Sequence, residues 1–348
     1  MANLIIFFLF FAILEGVASF YYAYQEVRQK IKKEPFLAER LHTEYDPLLG
    51  WINKPNISID NMYGPNVYLK TNGQRFRGET DFTTNVPNGR IRVICSGDSF
   101  TLGYGVDNAS TWCNYLELID PRIQSVNMGQ GGYGVGQAYL WYKRDGAQLD
   151  HSIHIFAFIS EDFKRMMKKS FLGVPKPLLR VRNEEIIVEN TPISRLSFRK
   201  IHEKYLKFFN IARLAKKVRG ISFSENVNKP SVLIEKEMEE LIGKVFGNLK
   251  KINRAKNSKL ILVHLPTQYE HRSAYYENIY KFVRQEAEKK GITYLNLVRE
   301  IRQVSSSEMV KFFFQKDIKD FAYSKGHLTP IGNLYVAKKI SKTLTKSN

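Results

Sequence analysis

Ile91-Arg92-Val93-Ile94-Cys95-Ser96-Gly97-Asp98-Ser99-Phe100 is the stretch on which the fold reading turns. Ile91, Val93 and Ile94 form a β-branched run, and the run stops in Ser-Gly-Asp-Ser-Phe. That pattern predicts a buried strand ending in a tight turn. Gly97 permits the sharp turn. Ser99 then stands at a strand-to-loop corner, with its hydroxyl at the carboxyl end of a sheet, where open α/β folds place their sites. On its own Gly-Asp-Ser is a weak signal, because turns of this composition are common.

Outward from this corner the pattern repeats. Further buried strands are predicted at Ser125–Asn127, Ile153–Ile159, Leu260–Leu265 and Thr293–Leu297. Helices are predicted between them, at roughly 110–119, 134–147, 230–254, 272–290 and 330–345. Strands alternating with helices imply an α/β domain: a three-layer arrangement with a parallel sheet flanked by helices on both faces. The stretch 166–228 interrupts the rhythm and reads as an insertion. It contains a hairpin candidate, Leu178–Val181 with Ile186–Glu189, and a basic amphipathic helix candidate at 197–218.

Two other elements have chemical potential. Asn127-Met128-Gly129-Gln130-Gly131-Gly132-Tyr133-Gly134 follows a predicted strand, and its glycines let a backbone N–H approach a ligand closely. The spacing of Gly129, Gly131 and Gly134 also matches a dinucleotide loop, but no acidic residue closes a second strand at a convincing distance. A plain Gly-rich βα loop is the other reading. Gly326-His327-Leu328-Thr329-Pro330-Ile331-Gly332 precedes the last predicted helix, with Pro330 suited to its first turn. A His there can serve as a general base, although an isolated His in a polar loop is more often a surface residue.

The order Ser99, glycine loop, His327 on an alternating β/α chain resembles the SGNH/GDSL hydrolase superfamily over about residues 89–345. The likeness extends to Gly97-Asp98-Ser99-Phe100-Thr101-Leu102-Gly103-Tyr104-Gly105-Val106, followed by Thr111-Trp112 and Leu116-Glu117. Tyr45-Asp46-Pro47-Leu48-Leu49-Gly50-Trp51 and Gly73-Gln74-Arg75-Phe76-Arg77-Gly78 look like the upstream region of membrane-anchored bacterial members. The resemblance implies an SGNH or flavodoxin-like sheet and a serine esterase or O-acyltransferase that needs no cofactor and no metal. Its substrate would be an acylated carbohydrate, a cell-surface polysaccharide or a small ester. Ser99 would be the nucleophile, with its own N–H and that of Gly132 as oxyanion donors, and His327 would be the base.

Two family positions differ. The Asn that donates to the oxyanion is replaced by Glu161, within Phe158-Ile159-Ser160-Glu161-Asp162-Phe163; Ser160 and Arg165 are nearby substitutes. The Asp three residues before the His is replaced by Ser324. Asp320, Glu161 and Asp162 are candidates for a third member, with Asp317 also near in sequence. These departures leave open a second reading, a catalytically silent binding or scaffold protein at the membrane.

The remaining features concern surroundings. Leu4 to about Tyr24 is apolar over roughly the length that spans a bilayer, broken only by Glu15 and followed by Tyr21, Tyr22 and Tyr24. We expect a single-pass anchor over 1–25, a membrane-proximal linker with short strands such as Asn66–Lys70 over 26–88, and the α/β domain beyond. Cleavage as a signal peptide and burial as a core helix are the alternatives. Arg28, Lys30, Lys32 and Lys33 favour a cytoplasmic location for the residues C-terminal to them, whereas the resemblance favours an extracytoplasmic domain. Among 348 residues, 43% hydrophobic and 13% aromatic content excludes a disordered chain, and two Cys exclude a disulfide framework. Cys95 reads as a buried structural thiol, with Cys113 a candidate neighbour. His264 reads as a structural His near the carboxyl edge of the sheet. The net charge of +19 suits an anionic partner. Much of it falls on the juxtamembrane run and on 195–219, which reads as a solvated or membrane-docking helix. No base-reading motif accompanies it, so no specific nucleic-acid partner is expected.

Overall fold

A computed structural model describes residues 2–31, 41–172, 174–193, 231–270, 277–318, 321 and 323–345. Its centre is a five-stranded sheet in the spatial order Thr293–Asn296, Lys259–His264, Ile153–Phe158, Ile91–Gly97, Ile123–Gly129. Every neighbouring pair is parallel. After Ile91–Gly97 the chain goes to one side for Ile123–Gly129, then returns to the other side for Ile153–Phe158. Connections therefore diverge at the carboxyl end of Ile91–Gly97, and a crevice forms there.

Alternation along each strand builds the two cores. Ile94, Val126, Phe156, Phe158 and Leu262 face helices Val135–Arg144, Ser231–Ala255 and Glu277–Lys289. Val93, Cys95, Ile155, Ala157, Ile261 and Val263 face Trp112–Ile119, Leu297–Ile301 and Pro330–Thr345. Both faces of the sheet are covered, as a parallel sheet requires. The predicted strands and helices form with ends shifted by a few residues. The insertion hairpin forms as Leu178–Arg182 with Glu185–Glu189. The helix candidate at 197–218 and the basic stretch 195–219 lie outside the described residues.

Residues 41–83 pack on this body. Leu49, Trp51, Ile52 and Phe76 are buried in the first core. Met62, Tyr63 and Leu69 form a third cluster with Leu102, Tyr104 and Phe321. Of the expected strand at Asn66–Lys70, only Leu69–Lys70 is extended, paired with Ser58–Ile59. Asp46 accepts from the N–H groups of Leu48 and Leu49 and pairs with Arg144 at 2.6 Å, fastening the first hairpin to a helix of the α/β body.

The N-terminal helix Ala2–Ile31 contains a 20-residue segment, Asn3–Tyr22, of mean hydropathy 2.3, long and apolar enough to cross a membrane. A signal sequence meets the same description. Within it the lone carboxylate of Glu15 accepts from Ser19 Oγ one turn later at 3.3 Å, which lessens the penalty of an acidic group in an apolar segment.

Candidate active site

Strand Ile91–Gly97 runs directly into a short helix, Ser99–Leu102, capped by Asp98, whose Oδ1 accepts from Phe100 N at 2.9 Å. Gly97 makes the corner possible: a Cβ there would lie 2.2 Å from Thr101 Oγ1 and 2.7 Å from the Ala157 carbonyl. This geometry puts Ser99 at the first position of the helix, above the sheet's carboxyl edge.

His327 arrives from the far end of the chain. Its loop is held by Phe314 N donating to His327 O and by Gly326 N donating to Phe314 O. Ser99 Oγ and His327 Nε2 are 2.8 Å apart. The imidazole stacks on Phe100 at 4.4 Å and tilts against Tyr104 at 5.2 Å. Burial, then the charge of Arg165, push its pKa down to about 3, against the Ser324 and Tyr323 carbonyls, which pull it up. The ring is thus a neutral base at ordinary pH.

Nδ1 of His327 is buried and has no hydrogen-bond partner among the described residues. Ser324, at the family's Asp position, is a structural residue: its hydroxyl accepts from Ile318 N at 2.7 Å and donates to Phe321 O. Asp317 accepts from Lys325 N and thereby braces the same loop. Of the three candidates for a third member, Asp162 is engaged elsewhere, accepting from Ile159 N and from Arg165. Glu161 is half-buried on the same helix and acts on Arg165 by its charge. Neither holds the imidazole. Asp320 lies outside the described residues.

Gly132 completes the crevice. Its φ is +73° and a Cβ would sit 2.5 Å from the Phe171 ring, so only glycine fits. Neither the Ser99 nor the Gly132 N–H donates to another described residue, which leaves both for a ligand. The loop is fixed from below: Trp51 Nε1 donates to Gly131 O at 2.8 Å, Tyr133 OH donates to Trp51 O, and Gln130 Nε2 donates to Asn53 Oδ1. On the nucleophile side, buried Arg77 donates to the carbonyls of Leu102, Gly103 and Val106. Trp51 and Arg77 lie in the upstream blocks of the resemblance, but their roles could not be read from the sequence, because each acts on backbone carbonyls far along the chain.

A buried charge cluster was equally hidden. Arg165 Nη1 lies 2.9 Å from Asp162 Oδ1 and 3.4 Å from Asp98 Oδ2. Burial raises the pKa of Asp98, opposed by Arg165. Burial, then Asp98, raise that of Asp162 well above the usual carboxylate range. Burial works against the Arg165 charge, but Asp162 and then Asp98 more than offset it. The only signal of the cluster in the sequence is the i, i+3 spacing of Asp162 and Arg165.

Three other features lie apart from the reaction centre. His264 is fully buried between Ser160 Oγ (3.0 Å) and Tyr294 OH (3.2 Å) and is structural. Cys95 and Cys113 are buried free thiols; burial, then its neighbour Cys113, pushes the Cys95 thiol up. A cavity of about 380 Å³ between the insertion hairpin and helix Ser231–Ala255, lined by Leu179, Arg180, Arg182, Glu237 and Glu240, includes neither Ser99 nor His327.

No family model and no curated protein matches the chain. Among solved structures it is similar to the acetyl xylan esterase AlAXEase: 14% identity, 73% of this chain and 100% of that chain covered, TM-score 0.42. It is also similar to a member of the lipolytic protein G-D-S-L family from Veillonella parvula: 10% identity, 73% and 98% covered, TM-score 0.41. A third is a GDSL-like lipase from Bacteroides thetaiotaomicron: 10% identity, 77% and 93% covered, TM-score 0.40. The last two carry in their names the G-D-S-L label of the family that the three sequence blocks resemble.

Proposed function

We propose that the chain is an SGNH-type serine ester hydrolase or O-acyltransferase, anchored by its N-terminal helix and acting on acylated carbohydrate. The observation that supports the chemistry is the 2.8 Å contact between Ser99 Oγ and His327 Nε2, and the Ser99 and Gly132 N–H groups donate to no other described residue. Ser99 Oγ attacks the ester carbonyl carbon as its proton passes to Nε2. The carbonyl π pair becomes an oxyanion that accepts from the Ser99 and Gly132 N–H groups. Collapse expels the alcohol, which takes the proton back from His327 and leaves an acyl-enzyme. Water or a sugar hydroxyl then repeats the sequence in reverse. Each oxyanion donor contributes roughly 3–4 kcal/mol to lowering the barrier, and the base about 10²–10⁴-fold.

The carbohydrate substrate and the extracytoplasmic placement come from the sequence resemblance. The basic run Arg28, Lys30, Lys32 and Lys33 argues the other way on placement. A C-terminal fusion reporter active only outside the cytoplasm supports the extracytoplasmic reading; activity only inside removes it.

The direct test uses the full-length chain in detergent micelles, a short-chain aryl ester, and Ser99→Ala. We expect at least ~10³-fold loss in the variant. Activity unchanged by the substitution removes Ser99 as nucleophile. The unpartnered Nδ1 of His327 favours the second reading, a silent SGNH-like binding protein. Failure of a fluorophosphonate to label Ser99 would support that reading.

A further inference from the structure

The family's side-chain oxyanion donor has no counterpart at Glu161, whose carboxylate would repel a developing negative charge. Of the two nearby substitutes, Ser160 is committed: its hydroxyl bonds His264, its N–H donates to Glu270 at 3.0 Å, and it is fully buried.

Arg165 is held through Nη1 but keeps its Nε–H uncommitted and is not fully buried. It lies one turn beyond Glu161 on the helix Ser160–Met166. Its Nη1 bridges Asp98, the residue before Ser99, and the carbonyl of Tyr133 (3.3 Å), the residue after Gly132. One guanidinium nitrogen thus reaches the neighbours of both backbone donors. The guanidinium lies over Phe171 at 5.2 Å, the same ring that walls Gly132. Nε is buried with no partner among the described residues, although the side chain as a whole keeps 15% exposure. An unpartnered buried N–H is costly unless something accepts from it in a working state.

We propose that Arg165 is the third oxyanion donor, its guanidinium supplying the N–H that the family takes from an Asn. This inference rests on the hydrolase reading of Ser99 and His327. When Ser99 Oγ bonds to the carbonyl carbon and its proton moves to Nε2, the electron pair placed on the carbonyl oxygen accepts from Ser99 N, Gly132 N and Arg165. The two buried carboxylates, Asp98 and Asp162, both hold Nη1 of the guanidinium, which limits the reorganisation needed as charge develops. After burial, the Arg165 charge is the next cause that lowers the pKa of the imidazole, in keeping with its place near Asp98 and Tyr133.

The test uses the full-length chain in detergent with an aryl ester and an aryl boronic acid, which forms a tetrahedral adduct on serine. Arg165→Lys keeps the cation between the two carboxylates but loses the planar fork. The expected result is a kcat lower by about 10²-fold, KM within about 3-fold, and boronate affinity weakened in step with kcat. Should Arg165→Lys fail to fold, the double variant Arg165→Gln/Asp162→Asn removes the cation together with one carboxylate. It should show the same loss relative to Asp162→Asn alone. A kcat within about 3-fold of its reference, or boronate affinity unchanged, overturns the inference while leaving Ser99-dependent hydrolysis intact. A wild-type chain with no Ser99-dependent hydrolysis overturns both this inference and the reading beneath it.

Discussion

Trp51 donates its indole N–H to the Gly131 carbonyl at 2.8 Å, across 80 residues of chain. The peptide that accepts this bond is the one whose N–H belongs to Gly132. A residue on a short N-terminal hairpin thereby aims a donor of the candidate active site. Replacing Trp51 with Phe keeps the apolar packing and deletes the bond. We expect kcat to fall about 10-fold with KM nearly unchanged. Stability should fall by about 1 kcal/mol, the net worth of a hydrogen bond. Steady-state kinetics and thermal unfolding check both.

Gly132 and Phe171 offer a paired test. Gly132→Ala forces a methyl group to 2.5 Å from the Phe171 ring at a φ of +73°. Destabilisation of about 1–3 kcal/mol and loss of most activity are expected. Phe171→Ala in the same chain removes the clash but not the backbone strain. The double variant should therefore regain part of the stability and little of the rate. A double-mutant cycle measures the coupling.

The depressed pKa of His327 sets the pH behaviour. An ordinary His base, with pKa about 6.5, is half protonated at that pH and loses activity below it. With the folded pKa near 3, the ring stays neutral well below pH 6.5, and kcat/KM should be flat from about pH 8 down to about 5. Stability moves differently. Between about pH 3 and 6.5 the unfolded chain binds a proton at this residue that the folded chain does not. The contribution of His327 is therefore full above about 6.5 and declines as pH falls through that window. A pH–rate profile with an acid limb centred near 6.5 would contradict the assignment.

Restoring the missing carboxylate gives an independent check. Ser324→Asp places an anion three residues before His327, where the sequence resemblance expects the carboxylate that orients the imidazole. A carboxylate there stabilises imidazolium, so the acid limb of kcat/KM should move up by a unit or more. kcat should rise, by ~10-fold or more if the new group reaches Nδ1. Because Ser324 is buried and accepts from Ile318 N, a lower melting temperature should accompany the gain.

Much of the scaffold was legible because two periods and a few punctuating residues encode it. The β-branched run at Ile91–Ile94 and the apolar segments at Ile153 and Leu260 become central strands. Gly97 and Pro330 mark the corners where Ser99 and the last helix begin. The contact between Ser99 and His327 was expected from the family resemblance that the three motifs carry. Other features were not. Trp51, Arg77 and Phe171 act through contacts distant in sequence, and two of them bind main-chain carbonyls, which leave no trace in residue identity. Arg165 could be named as a substitute but not preferred to Ser160 until both hydrogen-bonding inventories were known. Of the carboxylates considered as a third triad member, Asp162 is engaged by Ile159 N and Arg165, Glu161 does not hold the imidazole, and Asp320 lies outside the described residues.

Among the described residues no carboxylate meets Nδ1 of His327, and that changes the electrical character of the reaction. A Ser-His-Asp triad begins with one negative charge, and proton transfer to its His creates a cation already neutralised by the neighbouring carboxylate. Among the described residues the Ser99–His327 dyad begins with none, and its first step separates a cation from an anion within a few ångströms. The rate of acylation should accordingly respond to the local dielectric more steeply than it would in a carboxylate-bearing relative, and the hydration of the crevice becomes a control on turnover.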